Sequence, residues 1–387
     1  MPTQTLVLVF AIAFCAARLL ILADTHLWLL EKVLVFSKGS PSRLCLGLMG
    51  AVFLLSTVLP NIITVLAFIP LMKALFERAD WEETQRNGAI TVMIIAIIYA
   101  ANIGGLASMV GTPANALFLI YCQQAGLPEA QLLNFTNWLL FGIPVGLVLL
   151  LIAWATLITT QKKRLQFRLD QLDYRDMPIS SAHAIHFIWA AAGFCLLIYL
   201  SLDNAESHSA LIAVWFIVFV GIIGRKHGLT ALKGDLPYRG VLWMSGALGI
   251  AWILYQLGGD QWLLENISTK LSGHFTPLTA LCLLVVTTIF LTELLSNTAT
   301  TLGMWSVALL LAESSDLNPF PLLLGIAFAG TSAFMSPLAT PTSGMAFGAF
   351  KGVDFNAMLW SGLVLNILAA IWLTFCVYSW VPWVLGI

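Results

Sequence analysis

The sequence predicts an all-α polytopic membrane protein. It is read as two inverted-topology repeats, each with a re-entrant helical hairpin and a broken transmembrane helix. Three observations carry this reading. Of 387 residues, 59% are hydrophobic and only 10% are charged, against roughly a quarter charged in soluble domains. The apolar runs are long and do not alternate, which leaves helices rather than a barrel as the spanning structure. Finally, four apolar stretches are interrupted by Pro, Asn or Thr-Pro at matching places in the two halves. A soluble enzyme and a disordered chain are excluded by the same composition.

Taken in order, residues 4–23 form a span. It lacks the basic start and small-residue cleavage site of a signal peptide and is read as retained. An amphipathic stretch follows at about 28–38. Repeat 1 runs from 39 to 160. Its hairpin, 42–76, has arms 42–59 and 61–76 that meet at Leu59-Pro60-Asn61. A broken helix at 89–121 and a span at 138–160 complete it. Residues 161–184 form a polar cytoplasmic linker, partly helical along the membrane surface. Repeat 2, 185–387, opens with spans at 185–201, 209–224 and 240–258. Its hairpin, 277–312, has arms 277–295 and 298–312 that meet at Ser296-Asn297-Thr298. A broken helix at 320–349 and a span at 358–384 end the chain.

Lys and Arg collect in cytoplasmic loops. If each hairpin enters and leaves on one side, all 18 basic residues except Arg18 and Lys270 fall in cytoplasmic segments. The first hairpin then opens inward and the second outward, and both termini lie outside. Asn61 precedes Thr112-Pro113 by 51 residues, and Asn297 precedes Thr340-Pro341 by 43. Aligning the Thr-Pro pairs also matches Gly111 with Ala339 and Ser108 with Ser336. Aligning the Asn residues matches Thr64 with Thr300.

Paired, interrupted segments at matching positions of two halves point to a transporter site. A tip places the start of its second helix inside the membrane, where free N–H groups and the helix dipole favour an anion. Carbonyl oxygens of unwound backbone suit a sodium ion. The substrate-binding residues expected on these grounds are Asn61, Thr112 and Pro113 in the first half, with Ser296, Asn297, Thr298, Thr340 and Pro341 in the second. Sodium is expected at Asn61 and Gly111, and at Thr292, Ser296, Asn297 and Ala339. Glu293 is the only acid deep in an apolar segment, and intramembrane acids are functional suspects. It is read either as a structural acceptor or as a proton carrier.

At these residues the chain resembles the divalent anion:sodium symporters of the ion transporter superfamily. The segment Leu291-Thr292-Glu293-Leu294-Leu295-Ser296-Asn297-Thr298-Ala299-Thr300 is similar to that family's second Ser-Asn-Thr signature. Ala101-Asn102-Ile103-Gly104-Gly105 through Gly111-Thr112-Pro113-Ala114-Asn115, and Ser336-Pro337-Leu338-Ala339-Thr340-Pro341, are similar to its two broken-helix motifs. The resemblance covers roughly residue 39 to the C-terminus. It implies a homodimer with a scaffold and an elevator-like transport domain, and a di- or tricarboxylate or sulfate-like anion bound between the tips. Sodium would be the coupling ion, and no organic cofactor is implied. A bacterial inner membrane is the expected location.

Three departures stand out. The first tip reads Pro60-Asn61-Ile62 where the family has Ser-Asn-Thr, so two hydroxyls are missing. There the resemblance implies Ser56, a turn earlier, beside Asn61 as a sodium ligand. Thr340-Pro341-Thr342-Ser343 lacks the family's Asn. Residues 1–38 make a reduced scaffold. Since a hydrogen bond to a charged group contributes about 1.5–3 kcal/mol, the missing hydroxyls predict a smaller or less charged anion, or a weak first sodium site.

The remaining features are bland. The net charge of −1 gives no footing for a nucleic-acid partner. The six cysteines form no CxxC pair and read as small apolar residues within helices. His183 and His186 lack further ligands for a metal. No nucleophile–base pair marks an enzyme. The competing readings are a sodium/proton exchanger or oxyanion exporter of the same superfamily, and a membrane-embedded enzyme or silent relative.

Overall fold

The computed structural model describes residues 3–77, 79, 81–167, 184–202, 209–227 and 275–387. The expected span 240–258 and most of the linker 161–184 lie outside the described residues, as do Arg78, Arg168, Arg175, Lys233, Arg239, Lys270, His183, His208 and His274. Among the described residues all regular structure is helical. The helices are α1 (Thr3–Leu22), α2 (Thr25–Ser37), α3 (Pro41–Val58), α4 (Asn61–Glu77), α5 (Glu83–Leu106), α6 (Pro113–Gln124), α7 (Phe135–Thr160), α8 (Ala184–Leu202), α9 (Ser209–His227), α10 (Pro277–Thr292), α11 (Asn297–Ser314), α12 (Pro319–Ala329), α13 (Pro341–Gly348) and α14 (Phe355–Phe375). A π-helical turn, Cys376–Trp380, carries α14 into the short α15 (Val381–Leu385).

Helices α3, α5 and α7 and the continuous helix 355–385 are long and apolar enough to cross a membrane. The chain is a polytopic membrane protein. Helix α5 is apolar around its whole circumference, as a helix enclosed by others must be, and from Gly88 to Leu106 it is buried. Helices α3, α4 and α7 pack against it from the first half, and α13 and α14 from the second.

Proline chemistry sets the breaks. Pro60 holds Leu59 extended, with φ −109° and ψ 144°, because a residue before proline is pushed out of the helical region. Helix α3 therefore stops, and α4 restarts at Asn61 with the Pro60 carbonyl accepting from Ile63 N at 2.9 Å. The sequence expects α5 and α6 as one helix broken at Thr112-Pro113, and the unwound segment is 107–112. The second break, 330–340, is longer. In both, Thr caps the restarted helix and Pro follows at its first position, where its missing N–H costs nothing.

Helix α1 packs along α8, and α8 meets α9. Gly193 permits this: a Cβ there would stand 2.6 Å from the Trp215 ring and 3.1 Å from Ala16 Cβ. Trp189 Nε1 donates to the Trp215 carbonyl at 3.2 Å, and Trp215 Nε1 returns the bond to the Trp189 carbonyl at 3.3 Å. Helix α2, expected as an amphipathic stretch, lies against α3, with Val33 and Phe36 over Gly47. At the end of α7, Arg164 pairs with Asp354, and Gln161 Nε2 donates to the Ala357 carbonyl at 3.3 Å. This clasp ties the end of the first half to the start of α14.

Candidate functional site

The first tip is built around a glycine. Gly105, on the last turn of α5, faces both Asn61 and Thr112. A Cβ at Gly105 would lie 2.5 Å from Asn61 Oδ1 and 2.7 Å from Thr112 Cγ2. Gly104 meets the Phe53 carbonyl and Ser56 Cβ in the same manner, at 2.7 and 2.8 Å. Gly111 packs onto the Gly105 carbonyl. Ser56 Oγ stands 2.8 Å from Asn61 Oδ1 and 2.9 Å from the Ala101 carbonyl, both as acceptors. Three residues expected at this site from sequence, Asn61, Gly111 and Thr112, thus converge on Gly105, and the fourth, Ser56, joins them through Gly104 and Asn61. Pro113 opens α6 beside them.

The unwound segment is braced from two sides. Ser108 Oγ donates to the Thr57 carbonyl, tying the break to the end of α3. Asn115 Nδ2 donates to the carbonyls of Gly105 at 3.0 Å and Ser108 at 2.7 Å. Thr112 Oγ1 accepts from Asn115 N at 3.4 Å. Gly105 and Asn115 were in view as parts of a motif, but nothing in one sequence assigns them these contacts.

The second half uses different chemistry. Glu293 sits at the C-terminal end of α10 and is buried. Its Oε1 accepts from Phe334 N at 2.6 Å, Met335 N at 2.8 Å and Asn366 Nδ2 at 2.8 Å, and its Oε2 from Ser336 N at 2.9 Å. One carboxylate therefore satisfies three successive N–H groups of the second break and an amide of α14. Charge-assisted bonds of this kind are the strong ones. Asn102, on α5 of the first half, donates to the Ala333 carbonyl at 2.9 Å and ties α5 to the second break.

At the second tip, Ser296 precedes α11 without a side-chain cap, and its carbonyl accepts from Thr300 N at 2.9 Å. Thr292 Oγ1 donates to the Ile289 carbonyl at 3.2 Å. Thr340 caps α13, accepting from Ser343 N at 3.0 Å, and its hydroxyl pairs with that of Ser343 at 2.7 Å. Ala339 is buried beside this cap, and Pro341 follows as its first helical residue. Among the described contacts, no hydrogen bond joins Ser296, Asn297 or Thr298 to Thr340, or the second tip to Asn61. The predicted residues of the second half are thus less tightly gathered than those of the first.

Several polar atoms at the tips and breaks are buried with no hydrogen-bond partner among the described residues: Thr64 Oγ1, Asn115 Oδ1, Asn297 Oδ1 and Thr300 Oγ1. Thr64 and Thr300 are the pair matched by aligning Asn61 with Asn297. Each such atom costs about 1–3 kcal/mol unless water or a ligand completes it.

Comparison with known proteins agrees with this picture. A family model described as a citrate transporter matches residues 3–312. A sodium-dependent dicarboxylate transporter of Staphylococcus saprophyticus is 27% identical over 377 residues, covering 90% of this chain and 71% of the relative. The corresponding transporter of Staphylococcus aureus strain USA300 is 26% identical over 377 residues, with the same 90% and 71% coverage. The chain belongs to the citrate transporter family.

Proposed function

We infer that this protein is a secondary active transporter that carries a small carboxylate, a di- or tricarboxylate, together with sodium. The observation that carries the reading is the set of buried, unpartnered polar atoms at the tips and breaks. Two of them, Thr64 and Thr300, occupy positions matched between the halves, one turn into the helix that follows each tip. A buried polar group without a protein partner calls for a water, an ion or a ligand to complete it, and at the tips a transported ion and anion fill that role. The names of the relatives supply the coupling ion and the substrate class.

In this reading Asn61 and Asn297 hold the anion, with Thr112, Ser296, Thr298 and Thr340 around it and Pro113 and Pro341 setting the helix starts. Sodium binds among Ser56, Asn61 and Gly111, and among Thr292, Ser296, Asn297 and Ala339. Glu293 is a structural acceptor; its four donors leave little room for a carried proton. The two halves form an inverted repeat whose helix pairs α3–α4 and α10–α11 are re-entrant hairpins. The matched Thr caps, one in each half, favour this. Helices α1, α2, α8 and α9 belong to a fixed scaffold, and α3–α7 with α10–α15 form the moving body of an elevator. The transporter works as a homodimer in a bacterial plasma membrane.

Ligand-induced stabilisation tests the reading. A ligand at a hundredfold its Kd adds about 2.7 kcal/mol to stability. Sodium with succinate or citrate should raise the melting temperature of the purified protein, and potassium with the same anions should not. Equal melting curves under both salts, with and without anion, would contradict the proposal.

A further inference from the structure

The two breaks are held by opposite chemistry. In the second, an acceptor, Glu293, fixes three backbone N–H groups. In the first, a donor, Asn115 Nδ2, fixes two backbone carbonyls, those of Gly105 and Ser108. The repeat-matched residue of Asn115 is Ser343, which reaches only the Thr340 cap. The position matched to Glu293 is Thr57, whose hydroxyl is turned back onto the Phe53 carbonyl at 2.9 Å. Neither device is duplicated.

We propose that Asn115 is a positioning residue for the first ion site: it fixes the unwound backbone from Gly105 to Thr112 and so sets the geometry at Asn61, Gly111 and Thr112. The proposal rests on the transport reading above and extends it to a residue outside the binding set. Asn115 is 0% exposed. Its amide supplies a donor to the Gly105 carbonyl and a second one to the Ser108 carbonyl, which also accepts from Gly111 N at 3.3 Å, inside the membrane, where unsatisfied backbone is costly. Gly111, an expected sodium ligand, packs directly on the Gly105 carbonyl that Asn115 holds. A shift of that carbonyl therefore displaces Gly111 first. The Oδ1 of the same amide has no hydrogen-bond partner among the described residues, so Asn115 gives its donors to the break and keeps an acceptor available.

The test uses the full chain in nanodiscs and proteoliposomes with Asn115→Ser, which copies the second half, and Asn115→Asp, which keeps the shape but replaces the donor by an acceptor. Two readouts are taken: amide hydrogen exchange over 105–112 and 330–340, and the sodium half-saturation of succinate uptake. Losing these bonds should speed exchange over 105–112 about fivefold or more, leaving 330–340 unchanged, and should raise the sodium half-saturation by a similar factor. The maximal rate at saturating sodium should stay within about twofold of the parent. Asn115→Asp should be the more severe change. Unchanged exchange over 105–112 would overturn the proposal. So would a fall in maximal rate at constant sodium half-saturation, which is the signature of general damage. If Asn115→Asp does not fold, Asn115→Ser carries the same comparison. A parent protein with no sodium-dependent uptake would sink the transport reading itself, visibly before any variant is compared, and the proposal with it.

Discussion

Substituting Gly105 by Ala probes the first tip with a single methyl group. In a helix, Ala is favoured over Gly by about 0.8–1.0 kcal/mol, so local propensity alone predicts a more stable protein. The site predicts the reverse for function. The new Cβ would stand 2.5 Å from Asn61 Oδ1, 2.8 Å from Asn61 Nδ2 and 2.7 Å from Thr112 Cγ2. All three contacts are with side chains, so the tip yields before the backbone does. Overpacking of this kind costs about 1–3 kcal/mol, and losing the contact between Ser56 Oγ and Asn61 adds about 1 kcal/mol. Stability should fall by about 1–3 kcal/mol net, while the sodium half-saturation of uptake should rise about 5- to 30-fold. Gly50 is the control, since a Cβ there meets nothing within 4 Å, and Gly50→Ala should leave transport unchanged. The assay is sodium-dependent succinate uptake in proteoliposomes, with melting curves in parallel. A Gly105→Ala protein with the parent's sodium dependence would refute the convergence of Asn61 and Thr112 on this glycine.

Other substitutions test other parts of the account. Glu293→Gln keeps one acceptor oxygen but replaces the other by a donor NH2 that faces N–H donors; it should lower stability by about 2–3 kcal/mol, read by thermal unfolding, whereas a proton carrier would instead lose the pH dependence of flux at unchanged stability. Pro60→Ser combined with Ile62→Thr restores two hydroxyls to the first tip and should shift anion preference or the number of sodium ions per anion, read by competition and flux-ratio assays; no change in either would remove the role assigned to those positions. Arg164 and Asp354 are each about a third exposed, so a double-mutant cycle across the pair should yield at most about 1 kcal/mol of coupling, and a larger value would mean that the clasp is drier than its exposure indicates.

Much of this was legible from one sequence because it is written locally. Pro60 stops one helix, Thr112 and Thr340 cap two more, and the prolines behind them fix where each restarts; these are short-range effects. The residues expected at the first site do converge. What the sequence withholds is pairing over distance. The donors to Glu293 come from 334–336 and from Asn366, 41 to 73 residues further on. No spacing rule connects them, and so the residue was open between two roles. Gly105 reads as one of two adjacent glycines until the fold brings Asn61 against it. The second break runs over 330–340 rather than ending at a kink, because Glu293 supplies the acceptors that a continued helix would have provided.

The most direct test of the central claim is the uptake of labelled succinate into proteoliposomes under an inward sodium gradient, compared with the same gradient of potassium. The account predicts accumulation with sodium, none with potassium, and loss of the sodium-driven component in Asn297→Ala. Uptake that is indifferent to sodium, or an Asn297→Ala protein that accumulates succinate as the parent does, would contradict it.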